Sequence, residues 1–164
     1  MKILIVFVSS HGTTEKAAHM LCDYLEGNVE ILDLNLNPHP DLTPYDGVII
    51  GASIHGGFIS RKEKKFISKN MERLASKKIG LFLCCMREGE EAVEQFEHAF
   101  PKELRDNALT SGLFGGEFNF SKMNRLEKMI IKKVSGETDD VSKLDVELIK
   151  EFARQYNAEI LCDV

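Results

Sequence analysis

The sequence of 164 residues contains no tryptophan and only three tyrosines, and it has no apolar run near the roughly 18 to 20 residues that span a bilayer. Its four cysteines, Cys22, Cys84, Cys85 and Cys162, form no CxxC pair and no zinc-ligand spacing, so no metal centre is expected. Basic residues are in deficit, 21 against 26 acidic, and the formal charge of −5 argues against a nucleic-acid partner. Met1 leads straight into an apolar run, without the charged lead and small-residue cleavage site of a signal peptide. A cytoplasmic protein with reduced thiols is the expectation. With 43% hydrophobic and 29% charged residues, the composition is that of an ordinary globular domain and excludes disorder. One domain over residues 1–164 accounts for the length.

What is present alternates. Lys2 to Val8 is nearly all apolar and rich in β-branched residues, which predicts a strand covered on both faces. A helical pattern runs from Glu15 to Glu26, and further strands are expected at Val29–Leu34, Gly47–Gly51, Ile79–Cys84 and Leu113–Phe118. Helices are expected over Arg61–Lys77, Glu90–Leu104, Lys122–Val134 and Val146–Tyr156. Strand and helix alternating five times, with no repeat and no linker composition, predict an α/β fold with an open parallel sheet. Right-handed crossovers make the strand order 2-1-3-4-5, and the ligand crevice then lies beyond the carboxyl ends of strands one, three and four.

The loop Ser9-Ser10-His11-Gly12-Thr13-Thr14 carries the most specific chemistry. Its glycine permits a tight turn, and the helix that follows presents unpaired N–H groups and the positive end of its dipole. Hydroxyls at Ser9, Ser10, Thr13 and Thr14 add neutral donors, so a phosphate monoester could be held without lysine or arginine. Neither GxxxxGK[ST] nor GxGxxG is present, which disfavours a dinucleotide pyrophosphate. Capping of a helix by serine and threonine is the plainer alternative.

This arrangement resembles the flavodoxin family, whose phosphate loop reads [ST]-x-[ST]-G-x-[ST] after the first strand. Ser9, Gly12 and Thr14 match in place, and His11 stands where a hydroxyl residue is usual. The loop Gly51 to Gly57, the stretch Leu126 to Val134 and the segment Ser135-Gly136-Glu137-Thr138-Asp139 resemble, more closely, the menaquinone-dependent protoporphyrinogen dehydrogenase branch. The resemblance implies a flavodoxin-like three-layer sandwich with a five-stranded parallel sheet, FMN as cofactor, and a helical insert at about residues 119–145.

It also implies the residues around the cofactor. Ser9, Ser10, His11, Gly12, Thr13 and Thr14 would surround the phosphate. Ser53, Ile54, His55, Gly56 and Gly57 would run along the isoalloxazine ring, where glycine allows close backbone approach. Cys85, Met86 and Arg87 would meet the pyrimidine end, with Arg87 offsetting charge there. Vicinal Cys84 and Cys85 admit a redox reading, but adjacent cysteines bridge only with strain, and small apolar filler is the commoner role. His55 and Phe58 are the candidates for stacking on the ring in place of the family's usual aromatic pair. No side chain stands out as a committed general acid or base.

Lys122, Arg125, Lys128, Lys132 and Lys133 against Glu127 make residues 121–134 strongly basic, with Met123, Leu126, Met129, Ile130 and Val134 at helical spacing. Such a helix can rest on an anionic membrane surface or cover the domain's own sheet. Two functions follow from the resemblance. One is an FMN oxidoreductase of the protoporphyrinogen dehydrogenase kind with a quinone acceptor, peripheral at the inner face of the membrane. The other is an electron carrier that docks redox partner proteins.

Overall fold

The computed structural model describes residues 1–161, so Cys162 lies outside the described residues. Strand β1 (Lys2–Phe7) is the apolar run that opens the chain, and from Ile3 to Phe7 it is almost wholly buried. It is an interior strand of a parallel sheet, with β2 (Asn28–Asp33) on one side and β3 (Gly47–Ser53) on the other, followed by β4 (Lys78–Cys84) and β5 (Ala108–Leu113). The order β2-β1-β3-β4-β5 is the one expected. Side chains alternate across the sheet with period two. Leu4, Val6, Val48, Ile50, Leu81 and Leu83 face one core, together with Phe66 and Ile67 of α2 (Arg61–Leu74) and Ala92 of α3 (Gly89–Ala99). Ile3, Ile5, Phe7, Ile49 and Phe82 face the other, with Ala17, Ala18 and Leu21 of α1 (Thr13–Cys22) and Phe152 and Tyr156 of α6 (Val146–Leu161). The three-layer sandwich follows from burial on both faces.

Helix α6 packs flat because the sheet beneath it lacks side chains. A Cβ on Gly80 would stand 2.9 Å from Phe152 Cζ, and one on Gly47 would collide with the Tyr156 hydroxyl. That hydroxyl donates to the Lys78 carbonyl at 2.8 Å, satisfying the one polar atom of a buried ring.

Several boundaries differ from the sequence expectation, and three of them have a clear local reason. The helix expected over Glu90–Leu104 is two helices, α3 and α4 (Lys102–Asp106), because Phe100 precedes Pro101 and takes an extended conformation (φ −117°, ψ 130°). The fifth strand is Ala108–Leu113 and not Leu113–Phe118. It is an edge strand, only Thr110 of it buried, so it lacks the apolar run that marks the central strands. The chain then turns at Gly115 (φ 77°), where the Lys143 carbonyl occupies the place of a Cβ, and leaves the sheet.

Residues 117–142 overlap the stretch at about 119–145 where the resemblance implies a helical insert, and are called the insert below. Strand β6 (Glu117–Phe118) pairs antiparallel with β7 (Val141–Ser142), and between them lie a 3-10 turn (Phe120–Lys122) and helix α5 (Arg125–Ser135). Helix α5 begins at Arg125 and not at Lys122, because Asn124 and Glu127 form a reciprocal cap: Asn124 Oδ1 accepts from Glu127 N at 2.9 Å, and Glu127 Oε2 accepts from Asn124 N at 2.8 Å. Among the described residues no helix is long and apolar enough to cross a membrane.

Candidate functional site

The crevice opens beyond the carboxyl ends of β1, β3 and β4, with a cavity of about 340 Å³. That is within the range of small-molecule and cofactor sites. Ser9, Ser10, His11, Thr13 and Thr14 form its floor at one end. Gly12 caps α1, and its N–H donates to Ser9 Oγ at 3.0 Å, so this hydroxyl shapes the loop while its own proton stays available. The first bond of the helical ladder runs from Lys16 N to the Gly12 carbonyl at 2.9 Å. The amides of Thr13, Thr14 and Glu15 precede it and have no intrahelical acceptor, which leaves them free to meet an anion. The Thr13 and Thr14 side chains are buried, and the Thr14 hydroxyl lies against the Cys84 thiol.

The second loop is a preformed hairpin tip. His55 N donates to the Phe58 carbonyl at 2.9 Å and Phe58 N to the His55 carbonyl at 3.2 Å. Gly56 (φ 59°) and Gly57 (φ 86°) between them hold the left-handed conformations of a type I′ turn, which other residues reach only with strain. Ser53, Ile54, His55 and Gly56 line the crevice, whereas Gly57 does not. Phe58 is 66% exposed beneath Lys64 and does not line the crevice.

The third loop brings Cys85 and Met86 to the crevice wall beside Cys84. Burial raises the Cys84 and Cys85 thiol pKa values, so neither is poised as a thiolate and both serve as apolar wall. Arg87 points away and pairs with Glu91 at 3.2 Å along α3, outside the lining.

The insert supplies the remaining wall, which the sequence reading did not assign. Gly116, Glu117, Phe118, Met123, Glu127 and Ile131 all face the cavity. The sequence pattern sets Phe118 within a strand, and nothing local in 117–131 announces a crevice-lining role. The insert is pinned by long-range contacts. Lys16 Nζ donates to Glu117 Oε1 at 2.7 Å, and Ser142 Oγ donates to the same oxygen at 2.6 Å. Burial pushes the Glu117 carboxyl up, but these two donors, the Lys16 charge and a bond from the Thr13 hydroxyl outweigh it and hold its pKa below the ordinary value. His11 Nε2 stands 3.5 Å from Glu127 Oε2, and its ring centroid is 5.4 Å from that of His55. The His55 pKa is lowered, first by burial and then by His11, which favours a neutral ring hydrogen-bonded to Ser53 Oγ at 3.0 Å.

No residue of α5 is buried: Leu126 and Met129 are each 62% exposed and Val134 66%. The helix therefore does not cover the sheet. It leans over the crevice through Met123, Glu127, Ile130 and Ile131 and leaves an apolar stripe open.

The chain matches the flavodoxin domain family over residues 4–145. It is 26% identical to the protoporphyrinogen IX dehydrogenase [quinone] of Escherichia coli K12 over 170 residues, with 94% of each chain covered. Oxidised flavodoxin 1 from Bacillus cereus superposes with a TM-score of 0.59 at 21% identity, covering 95% of this chain and 97% of that one. Flavodoxin 2 from the same organism gives 0.59 at 22%, covering 97% and 99%. A cradle of unpaired amides and hydroxyls at one end and an apolar slot at the other fit a flavin mononucleotide. The chain belongs to the flavodoxin domain family, a membership that implies FMN as the cofactor of this crevice.

Proposed function

We propose that this protein takes electrons from a reduced substrate through FMN and passes them to a quinone, with a porphyrinogen as the donor. The observation that carries this reading is the insert. It sets Phe118, Met123 and Ile131 along the slot, an apolar approach suited to a lipophilic partner. The match to a protoporphyrinogen dehydrogenase that uses quinone, along nearly the whole chain, supports it. Flavin supplies the hydride and electron chemistry, and the protein positions it and excludes competing reactions. In this reading the loop of Ser9 to Thr14 holds the phosphate, Ser53 to Gly57 flank the ring, and Cys85 and Met86 close its pyrimidine end. The open stripe and lysines of α5 rest on the inner face of the membrane, where a quinone would be met.

A carrier that docks partner proteins is the second reading, favoured by one feature. Glu88, Glu90, Glu91, Glu94 and Glu97 form an exposed acidic face leading from the third loop along α3, which would meet a basic partner.

The test is direct. Purified protein is reduced under anaerobic conditions and mixed with a menaquinone analogue, and the recovery of oxidised flavin absorbance is followed. Prompt recovery, together with oxidation of protoporphyrinogen in a catalytic cycle, supports the enzyme. Slow quinone reoxidation with fast, salt-sensitive exchange to a basic redox protein establishes the carrier instead.

A further inference from the structure

We infer that Lys122, carried on the insert, is a ligand of the cofactor's phosphate, so that the insert grips the anion as well as flanking the ring. The inference rests on the FMN reading above and adds to it a residue far from the phosphate loop in sequence. Lys122 Nζ stands 2.9 Å from the point that a Cβ on Gly12 would occupy, directly against the cap of α1. A bulkier residue at position 12 would displace it. Among the described residues Lys122 makes no ion pair and no side-chain hydrogen bond, whereas Lys16 is committed to Glu117 and Lys143 to Glu88.

The anions around it are also committed. Glu117 accepts from Lys16 and Ser142, and Glu127 accepts from the Asn124 amide and faces His11. An ammonium without a partner is thus set beside the amides of Thr13, Thr14 and Glu15, which have no intrahelical acceptor. Both are donors without an acceptor, and a phosphate in the loop would satisfy the two together. The neutral donors of the loop alone read as sufficient from the sequence, and the fold supplies a cation to them from the 3-10 turn that precedes α5. Because the same turn leads into α5, anion binding and closure of the insert over the ring become one event.

The experiment titrates apoprotein with FMN and with riboflavin at low and moderate salt, following quenching of flavin fluorescence. Wild type, Lys122→Met and Lys122→Arg are compared, with circular dichroism to verify folding. Tighter binding of FMN than of riboflavin by wild type establishes the phosphate site itself; equal affinities would remove the parent reading and this one with it. Given that preference, Lys122→Met should weaken FMN about ten- to a hundredfold, the value of a hydrogen bond to a charged group. Riboflavin binding should be unchanged, and Lys122→Arg should recover most of the loss. Hydrogen exchange across residues 117–142 should be slowed by FMN in wild type and much less in Lys122→Met. If Lys122→Met keeps the full preference for FMN, or loses both flavins equally, the phosphate role of Lys122 is overturned while the parent site stands.

Discussion

Lys16 on α1 and Glu117 on β6 meet at 2.7 Å, joining the helix that follows the Ser9–Thr14 loop to the segment that walls the crevice. Lys16 is about half exposed, so the pair adds little to global stability. Its value is positional. Glu117→Gln should lower unfolding free energy by less than about 1 kcal/mol, yet it should speed amide exchange in residues 117–142. Native-state hydrogen exchange measures both. A uniform rise across the sheet would show that the pair supports the whole domain.

Glu63 is 1% exposed and accepts from Val8 N and Ser60 N, each at 3.0 Å, so it fixes the end of β1 against the start of α2. Burial pushes its pKa up to about 8, against the lowering effect of these two amides. A carboxyl held above its ordinary value favours the folded state while protonated. That contribution is complete below about pH 4.5 and is lost as pH rises through about 8. Urea unfolding should therefore show stability falling across this window by at most about 1.4 kcal/mol per pH unit. Glu63→Gln should flatten the slope; an unchanged slope would assign it to other groups.

Ser9→Ala combined with Thr14→Ala should weaken FMN far more than riboflavin. Each lost hydrogen bond to a charged group is worth about 1.5 to 3 kcal/mol. Ser9 also orders the loop by accepting the Gly12 amide, so part of the loss reflects a looser cradle. Calorimetric titration with both flavins checks the claim, and equal losses would show that the loop serves the ring instead of the phosphate.

Lys128→Glu with Lys132→Glu reverses two charges one helical turn apart on α5. Each basic residue near an anionic surface contributes about 1 kcal/mol. Sedimentation with anionic liposomes should fall by more than tenfold, and menaquinone reduction should slow while FMN affinity stays unchanged. Survival of both activities at low salt would make the helix a wall of the crevice and nothing more, and would favour the carrier.

The central strands were legible because burial on both faces writes itself as a continuous apolar run, as in Ile3–Phe7 and Ile79–Cys84. Strand β5 was displaced in the reading because an edge strand carries no such run, and the apolar pair Leu113-Phe114 marks its end and not its start. Pro101 was a readable break between α3 and α4 that the helical periodicity on either side obscured. Of the crevice, the three loops after β1, β3 and β4 were found from topology and glycines, although Gly12, Gly57 and Arg87 do not line it. The insert's part was hidden, because its place depends on Lys16 with Glu117 and His11 with Glu127, pairs that no local pattern connects.

The flat seat of α6 over Gly47 and Gly80 has a consequence for biosynthesis. On the face it shares with α1, the sheet around Ile49 and Phe82 is roofed by Phe152 and Tyr156, and the Lys78 carbonyl waits for the Tyr156 hydroxyl. A nascent chain extended only to residue 145 could pair its strands but would leave Ile49, Phe82 and the bare glycine floor facing water. Completion of the domain must therefore follow emergence of α6 from the ribosome. Until then the growing chain is a natural client for chaperones that bind exposed apolar sheet.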